Sequence, residues 1–170
     1  NLYLIPTSEV PLTNLYRESI INKNELPLKY TTFTNCFRSE AGASGQDTKG
    51  LMREHQFGKV ELVTISDPHN SEEELNNMVK CVESILNKLN LHYRMVELCS
   101  ADIGFSSSYT IDFELWMPGQ SKYREVSSCS NCKDFQSRRM KTRVKNIENG
   151  EIYFPHTLNG SSLAIGRLII

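Results

Sequence analysis

Thr34 to Val63 reads TNCFRSEAGASGQDTKGLMREHQFGKVELV. Two runs that alternate as strands do flank a stretch of Gly, Ala and Ser. Strand side chains point alternately to opposite faces. In the first run Cys36, Arg38 and Glu40 therefore share a face, with Phe33, Asn35 and Phe37 opposite. In the second, His55, Phe57, Lys59 and Glu61 share a face, with Val60 and Leu62 opposite. The simplest shape is a long antiparallel hairpin with one apolar face and one face of Arg, Glu, Phe and Glu. The connection Ala41 to Gly50 is too long for a two-residue turn. Long connections built from small residues are commonly functional.

The chain has 170 residues, enough for one domain with a sizeable core. Hydrophobic residues make up 39% and charged residues 23%, which argues against disorder. A net charge of −1 excludes a strongly basic nucleic-acid footprint for the chain as a whole. Five cysteines in a chain of this length fit a reduced, cytoplasmic setting better than a disulfide framework. No run is apolar and long enough to suggest a membrane span.

Working outward, Leu2–Ile5 reads as a short buried strand, and Val10 to Ile21 carries Val10, Leu15 and Ile20 at helical spacing. Thr7-Ser8-Glu9 between them fits a helix N-cap with an acidic first turn. Ser71-Glu72-Glu73-Glu74 reads as a capping box. It opens the clearest amphipathic helix, with Leu75, Met78, Val79, Val82, Ile85, Leu86 and Leu89 at steps of three and four. Strands are expected at Tyr93–Leu98, Thr110–Trp116 and Tyr123–Ser128, with a turn at Pro118-Gly119. Asn149-Gly150 signals a hairpin. Leu158–Arg167 is the last element, where Ser161 or Ser162 could cap a buried helix and the small residues Gly160, Ala164 and Gly166 let another backbone or a ligand lie close. An arginine on such a helix is costly unless an anion meets it. Cys129 and Cys132 have the C-x-x-C spacing of zinc and redox sites, but no second ligand pair accompanies them, and no zinc is expected. The basic run 134–145 is a solvated face or a contact for nucleic acid.

Phe37-Arg38-Ser39-Glu40-Ala41-Gly42 with Arg53-Glu54-His55-Gln56-Phe57 resembles motif 2 of the class II aminoacyl-tRNA synthetases, in the wording of the seryl-tRNA synthetases. Thr7-Ser8-Glu9, Glu125-Val126-Ser127-Ser128-Cys129-Ser130-Asn131-Cys132, and Leu158 to Arg167 extend the likeness along nearly the whole chain. It implies an α+β fold of the class II synthetase type, a mostly antiparallel sheet flanked by helices. Residues 1–170 would be a catalytic-core fragment, with motif 2 near 33–63 and motif 3 near 158–170. Motif 1 and the N-terminal tRNA-binding arm would lie outside it, and the isolated piece would charge tRNA weakly or not at all.

The implied activity is a serine–tRNA ligase, which joins L-serine to ATP as seryl-adenylate and passes it to tRNA(Ser). The implied serine-binding residues are Thr7, Ser8, Glu9, Glu61 and Ser161. ATP would meet Arg38, Ser39, Glu40, Arg53, Glu54, Phe57, Glu125, Val126, Ser127, Ser128 and Arg167. Within that set Arg38 and Arg167 serve the chemistry, Glu40 and Phe57 the adenine, and Glu54 contributes through its backbone. Glu125 and Ser128 would hold Mg²⁺ through the nucleotide, a habit of hard oxygen ligands shared with phosphates. The loop 41–50, with Lys49 as its cation, would approach the tRNA acceptor end. The full-length protein would be a homodimer. Two other readings stay open, a serine-activating ligase that charges a carrier protein and a non-catalytic synthetase relative that acts as a binding protein.

Overall fold

The computed structural model describes residues 2–40 and 52–170. Its centre is a six-stranded, wholly antiparallel sheet in the order β2-β3-β9-β6-β5-β4. The strands are β2 (Leu28–Phe37), β3 (Gln56–Ser66), β4 (Tyr93–Glu97), β5 (Tyr109–Met117), β6 (Lys122–Asn131) and β9 (His156–Ala164). A small three-stranded sheet joins β1 (Ile20–Asn22), β7 (Arg143–Lys145) and β8 (Ile152–Tyr153). The helices are α1 (Glu9–Thr13), α2 (Ser71–Lys88), α3 (Phe135–Met140) and α4 (Ile165–Ile169). This is the α+β architecture that the sequence resemblance implies.

Strand alternation gives the main sheet two unlike faces. One packs on α2, where Leu75, Met78, Val82 and Leu86 meet Phe113, Leu115, Val126, Cys129, Leu158 and Leu163. Gly160 belongs to this face because a Cβ there would lie 2.7 Å from Met78 Sδ and 3.2 Å from Cys129 Sγ. The other face carries the polar residues of the hairpin. One end of it is closed by a second core of Ile21, Ile65 and Val144.

The β2–β3 hairpin pairs from Leu28↔Ile65 to Phe37↔Gln56, and Arg38 N–H continues the pairing to the His55 carbonyl. The Asn149-Gly150 hairpin forms, with Val144 opposite Tyr153 and Gly150 at φ +76°.

Several expectations are corrected. Leu2–Ile5 forms no strand. Leu2, Tyr3 and Leu4 are exposed, and among the described residues the Ile5 carbonyl is bonded, to Phe37 N–H. The Val10–Ile21 helix stops after Thr13. A 3₁₀ turn follows, Glu18 adopts φ +58°, and Ile20–Asn22 pairs in parallel with β7. Val10, Leu15 and Ile20 are exposed, so their helical spacing marks no buried face.

At α2 the capping box is absent. Ser71 lies inside the helix and bonds the Pro68 carbonyl, while Asp67 caps the preceding 3₁₀ turn through His69 N–H. Leu89 is exposed just past the helix. Leu158–Ala164 is a central strand rather than a helix, and the helix begins only at Ile165. Gly160 serves the close approach of α2, whereas Ala164 lines the polar cavity. On β2, Phe33 is 63% exposed and covers Gly58 instead of entering the core.

Candidate active site

Two β-bulges determine which side chains reach the polar face. In a regular strand Glu125 and Ser128, three residues apart, point to opposite faces. The β5–β6 register places Phe113 opposite Ser127 and Glu114 opposite Glu125, which leaves Val126 as an extra residue. That residue returns Glu125 and Ser128 to one face, beside Glu114 and Asp112. On β9 the register runs Val60↔Leu163 and Glu61↔Ser161, so Ser162 is extra. Ser161 and Ala164 then share the face of Lys59 and Glu61. Bulges re-aim side chains in this way beside active sites. The Ser127 hydroxyl donates to the Ser161 carbonyl and ties the two irregular segments together.

The resulting cavity encloses about 80 Å³ and is lined by Arg38, Glu40, Met52, Arg53, Glu54, Phe57, Lys59, Glu125, Val126, Ser161, Ala164 and Arg167. Nine of these were given site roles from the sequence, and Met52, Lys59 and Ala164 were not. A second recess of about 160 Å³ shares Met52, Arg53, Glu125 and Arg167 and adds Arg124.

At the inner end, the Lys59 ammonium is buried and lies 2.5 Å from Glu61 Oε2. It also donates to Thr7 Oγ1 at 2.8 Å and to Ser161 Oγ at 3.4 Å. Thr7 in turn donates to Glu61 Oε2 at 3.0 Å and accepts from Glu9 N–H at 3.3 Å. One donor and two acceptor positions saturate a hydroxyl, so Thr7 acts here as a fixed post. Burial pushes the Glu61 carboxyl above its ordinary value of 4.5, against the pull of Lys59 and Thr7, while the nearby Glu9 charge pushes it further up. Glu9 accepts from Gln136 Nε2 at 2.7 Å. The Ser8 hydroxyl is buried and has no hydrogen-bond partner among the described residues.

The outer part is cationic. Arg38 donates from Nε to the Pro6 carbonyl at 3.2 Å and lies 5.0 Å from the Phe57 ring centre. Arg167 is half-buried, and its donors meet the carbonyls of Glu125 at 2.7 Å and Met52 at 3.4 Å. Backbone carbonyls thus supply the partners that a buried arginine needs. Arg53 and Glu40 pair at 2.8 Å at the rim, and Glu40 takes φ +50° as the chain leaves the hairpin. The Glu125 side chain retains solvent contact but is ringed by protein. Its carboxyl is raised by desolvation and then by the charge of Asp112, against the opposing pull of Arg167, Arg38 and Lys59. Asp112 Oδ1 is buried without a partner among the described residues.

The remaining sequence-based site residues fall as follows. Val126 lines the cavity while most of its side chain is core. The Ser127 side chain is spent on Ser161, and Ser39 is exposed beyond the cavity lining. Residues 41–50, including Lys49, lie outside the described residues. Cys129 and Cys132 are both free and buried, and they do different jobs. Cys129 packs toward Gly160 and Met78, and burial lifts its thiol to about 12. Cys132 accepts from Asn159 Nδ2 at 3.3 Å. In the basic run, Arg139 lies over the Phe135 ring at 3.6 Å, and Arg138 bonds Asp134. Lys59 was missed because strand alternation places it on the right face without distinguishing it from a solvated lysine. Arg124 was missed because nothing in the sequence announces the recess.

An antiparallel sheet that presents an anionic pocket beside an arginine-lined recess defines a synthetase core of the class II type. The tRNA synthetase class II core domain family (G, H, P, S and T) matches residues 1–170, and the chain belongs to that family. It is 61% identical over 167 residues to the serine–tRNA ligase of Mycoplasma mycoides subsp. mycoides SC, covering 98% of this chain and 39% of that protein. The serine–tRNA ligase of Azorhizobium caulinodans is 56% identical, with 99% and 38% covered. The seryl-tRNA synthetase of Pyrococcus horikoshii, solved with ATP, superposes with a TM-score of 0.94 at 42% identity, covering 98% of this chain and 37% of that one. The chain thus spans about two fifths of the length of these relatives.

Proposed function

We propose that the protein carrying this chain is a serine–tRNA ligase and that the cavity is its serine- and ATP-binding site. The observation that carries this reading is the division of charge along one groove. At the inner end Lys59 offsets Glu61, and Glu9, which lines a separate recess but lies close enough to act on Glu61, leaves one negative charge for the ammonium of an amino acid. At the outer end Arg53, Arg124 and Arg167 converge on one recess, which suits a polyphosphate. The family match and the ATP-bound relative support the same assignment.

The first step joins the serine carboxylate to the α-phosphorus of ATP as the bond to pyrophosphate breaks. The attacking carboxylate is already ionised, so positioning and charge neutralisation carry the step and no general base is needed. Lys59 from the inner end and Arg38 from the outer part line one cavity, where the carboxylate and the α-phosphate would meet. Phe57 offers a stacking face for adenine, and Glu40 at the rim would accept from its amino group. Ser161 faces the serine side chain. A site that hydrogen-bonds a hydroxyl rejects an analogue lacking it by on the order of 10⁴-fold.

Glu125 and Ser128 share a face, with the unpartnered Asp112 Oδ1 beside them. This set of hard oxygens fits Mg²⁺, with Glu125 and Ser128 holding it through the nucleotide. Bound there, the ion would neutralise phosphate charge. In the second step the adenylate passes its seryl group to the terminal ribose of tRNA(Ser). A cytoplasmic homodimer is the assembly proposed for the full-length protein. Among the described residues no helix is long and apolar enough to cross a membrane.

The test is exchange of labelled pyrophosphate into ATP by the full-length protein. Exchange that requires serine, fails with alanine and threonine, and disappears in Arg38→Ala is the expected result. Exchange with no amino acid would overturn the reading. Charging of a carrier protein in place of tRNA(Ser) would overturn the choice of acceptor.

A further inference from the structure

Glu9 is held by a relay that starts in the centre of the main sheet. Thr157 is fully buried on β9, four residues before Ser161. Its backbone is bonded on both sides to the turn that precedes α3, through Cys132 N–H and the Lys133 carbonyl, both at 2.9 Å. Its hydroxyl donates to Gln136 Oε1 at 2.7 Å, and Gln136 Nε2 donates to Glu9 Oε1 at 2.7 Å. The Thr157 hydroxyl and the Glu9 carboxylate together fix which way the amide faces. The loop Thr7–Glu9 is therefore fastened twice, by Thr7 to the Lys59–Glu61 pair and by Glu9 to the strand that carries Ser161.

The chemistry of the fastener matters as much as its position. An arginine or lysine at position 136 would hold Glu9 equally well but would neutralise it. A neutral amide places the carboxylate and leaves its charge unspent. Arg17 and Arg139 line the same recess as Glu9 and are engaged elsewhere, Arg17 with Glu18 at 4.0 Å and Arg139 over Phe135 at 3.6 Å. Resting on the reading of Glu9 as part of the serine site, we infer that Gln136 is a positioning residue for the substrate's ammonium. It holds Glu9 in place, from Thr157, without cancelling its charge.

The experiment uses pyrophosphate exchange by the full-length protein with Gln136→Met, which keeps length and removes both hydrogen bonds. A hydrogen bond to a charged group is worth roughly ten- to a hundredfold in affinity. The serine KM is expected to rise at least about tenfold, with the ATP KM and kcat nearly unchanged and Tm modestly lowered, because the buried Thr157 hydroxyl loses its acceptor. On a Glu9→Gln background the same substitution should add little, because Gln136 acts through Glu9. Gln136→Glu keeps the acceptor for Thr157 but sets an anion against Glu9, so its serine KM should worsen as pH rises through the carboxylate range. If Gln136→Met fails to fold, Thr157→Val reports the same selective rise from the other end of the relay. Serine and ATP KM rising together would reduce Gln136 to a structural link and overturn the inference. So would an equal effect of Gln136→Met on both backgrounds. A wild-type protein that activates a different amino acid would overturn the serine reading instead. The selective effect on that amino acid's KM would still decide the role of Gln136.

Discussion

Lys59 and Glu61 are a buried ion pair whose two members have different tasks. Removing one partner of such a pair leaves an uncompensated buried charge, at a cost of about 3–5 kcal/mol. Lys59→Met should therefore lower Tm markedly as well as abolish exchange. Lys59→Met with Glu61→Gln should recover most of the stability and none of the exchange, which thermal melting and pyrophosphate exchange measure side by side. Recovery of exchange in the double variant would show that Lys59 serves the fold alone. The raised Glu61 carboxyl gives a second expectation, and its sign follows from the direction of the shift. A carboxyl held above 4.5 keeps its proton to higher pH in the folded protein. Its contribution to stability is therefore full below the ordinary value and is lost as pH rises through the raised one. With Glu61 protonated, Lys59 would cancel the charge of Glu9 that the ammonium needs, so the serine KM should fall over that same rise in pH. In Glu61→Gln it should stay high and flat, and a profile like the wild type's would assign the titration to another group.

The two bulges are the elements on which the site depends, and the one on β6 makes a prediction. Inserting an alanine between Phe113 and Glu114 gives Val126 a partner, restores regular alternation and sends Glu125 and Ser128 to opposite faces. Exchange should fall at least a hundredfold, while circular dichroism still reports the sheet. Near-normal activity would mean that the two residues need not act together. Gly160→Ala tests the opposite face, because the added methyl meets Met78 Sδ at 2.7 Å. Overpacking of this kind costs about 1–3 kcal/mol, and Met78→Val should relieve part of it in denaturant melts. These elements also mark how far the sequence could be read. The β2–β3 hairpin was legible because ten consecutive pairs obey one alternation, and α2 because its apolar steps repeat over five turns. The β9 segment was misread as a helix because its small residues serve a close approach in either structure, and only the partners across β3 and β6 decide between them. The bulges have no local signature, and nothing in the sequence distinguishes Lys59 or Arg124 from a solvated cation, while Arg38, Glu61 and Arg167 were found by their motifs.

At the scale of the whole molecule, the sheet separates a face for chemistry from a face for stability, and the cysteines report on that separation. Cys81 and Cys99 are exposed, whereas Cys36, Cys129 and Cys132 are buried in three different settings. Cys36 lies under the polar face, Cys129 between the sheet and α2, and Cys132 at the turn that leads to α3. Only the thiolate reacts with alkylating reagents, and burial raises the Cys129 thiol to about 12. Peptide mapping after brief alkylation of the native full-length protein should therefore find Cys81 and Cys99 modified first. Cys129 should wait for α2 to leave the sheet, so its labelling rate measures that opening. Phe113→Ala hollows the same interface, at a cost of about 3–5 kcal/mol, and should speed Cys129 labelling far more than that of Cys36. Equal acceleration at both would mean that the two faces come apart as one unit. Cys129 labelling as fast as that of Cys99 in the wild-type protein would contradict the packing of α2 on the sheet.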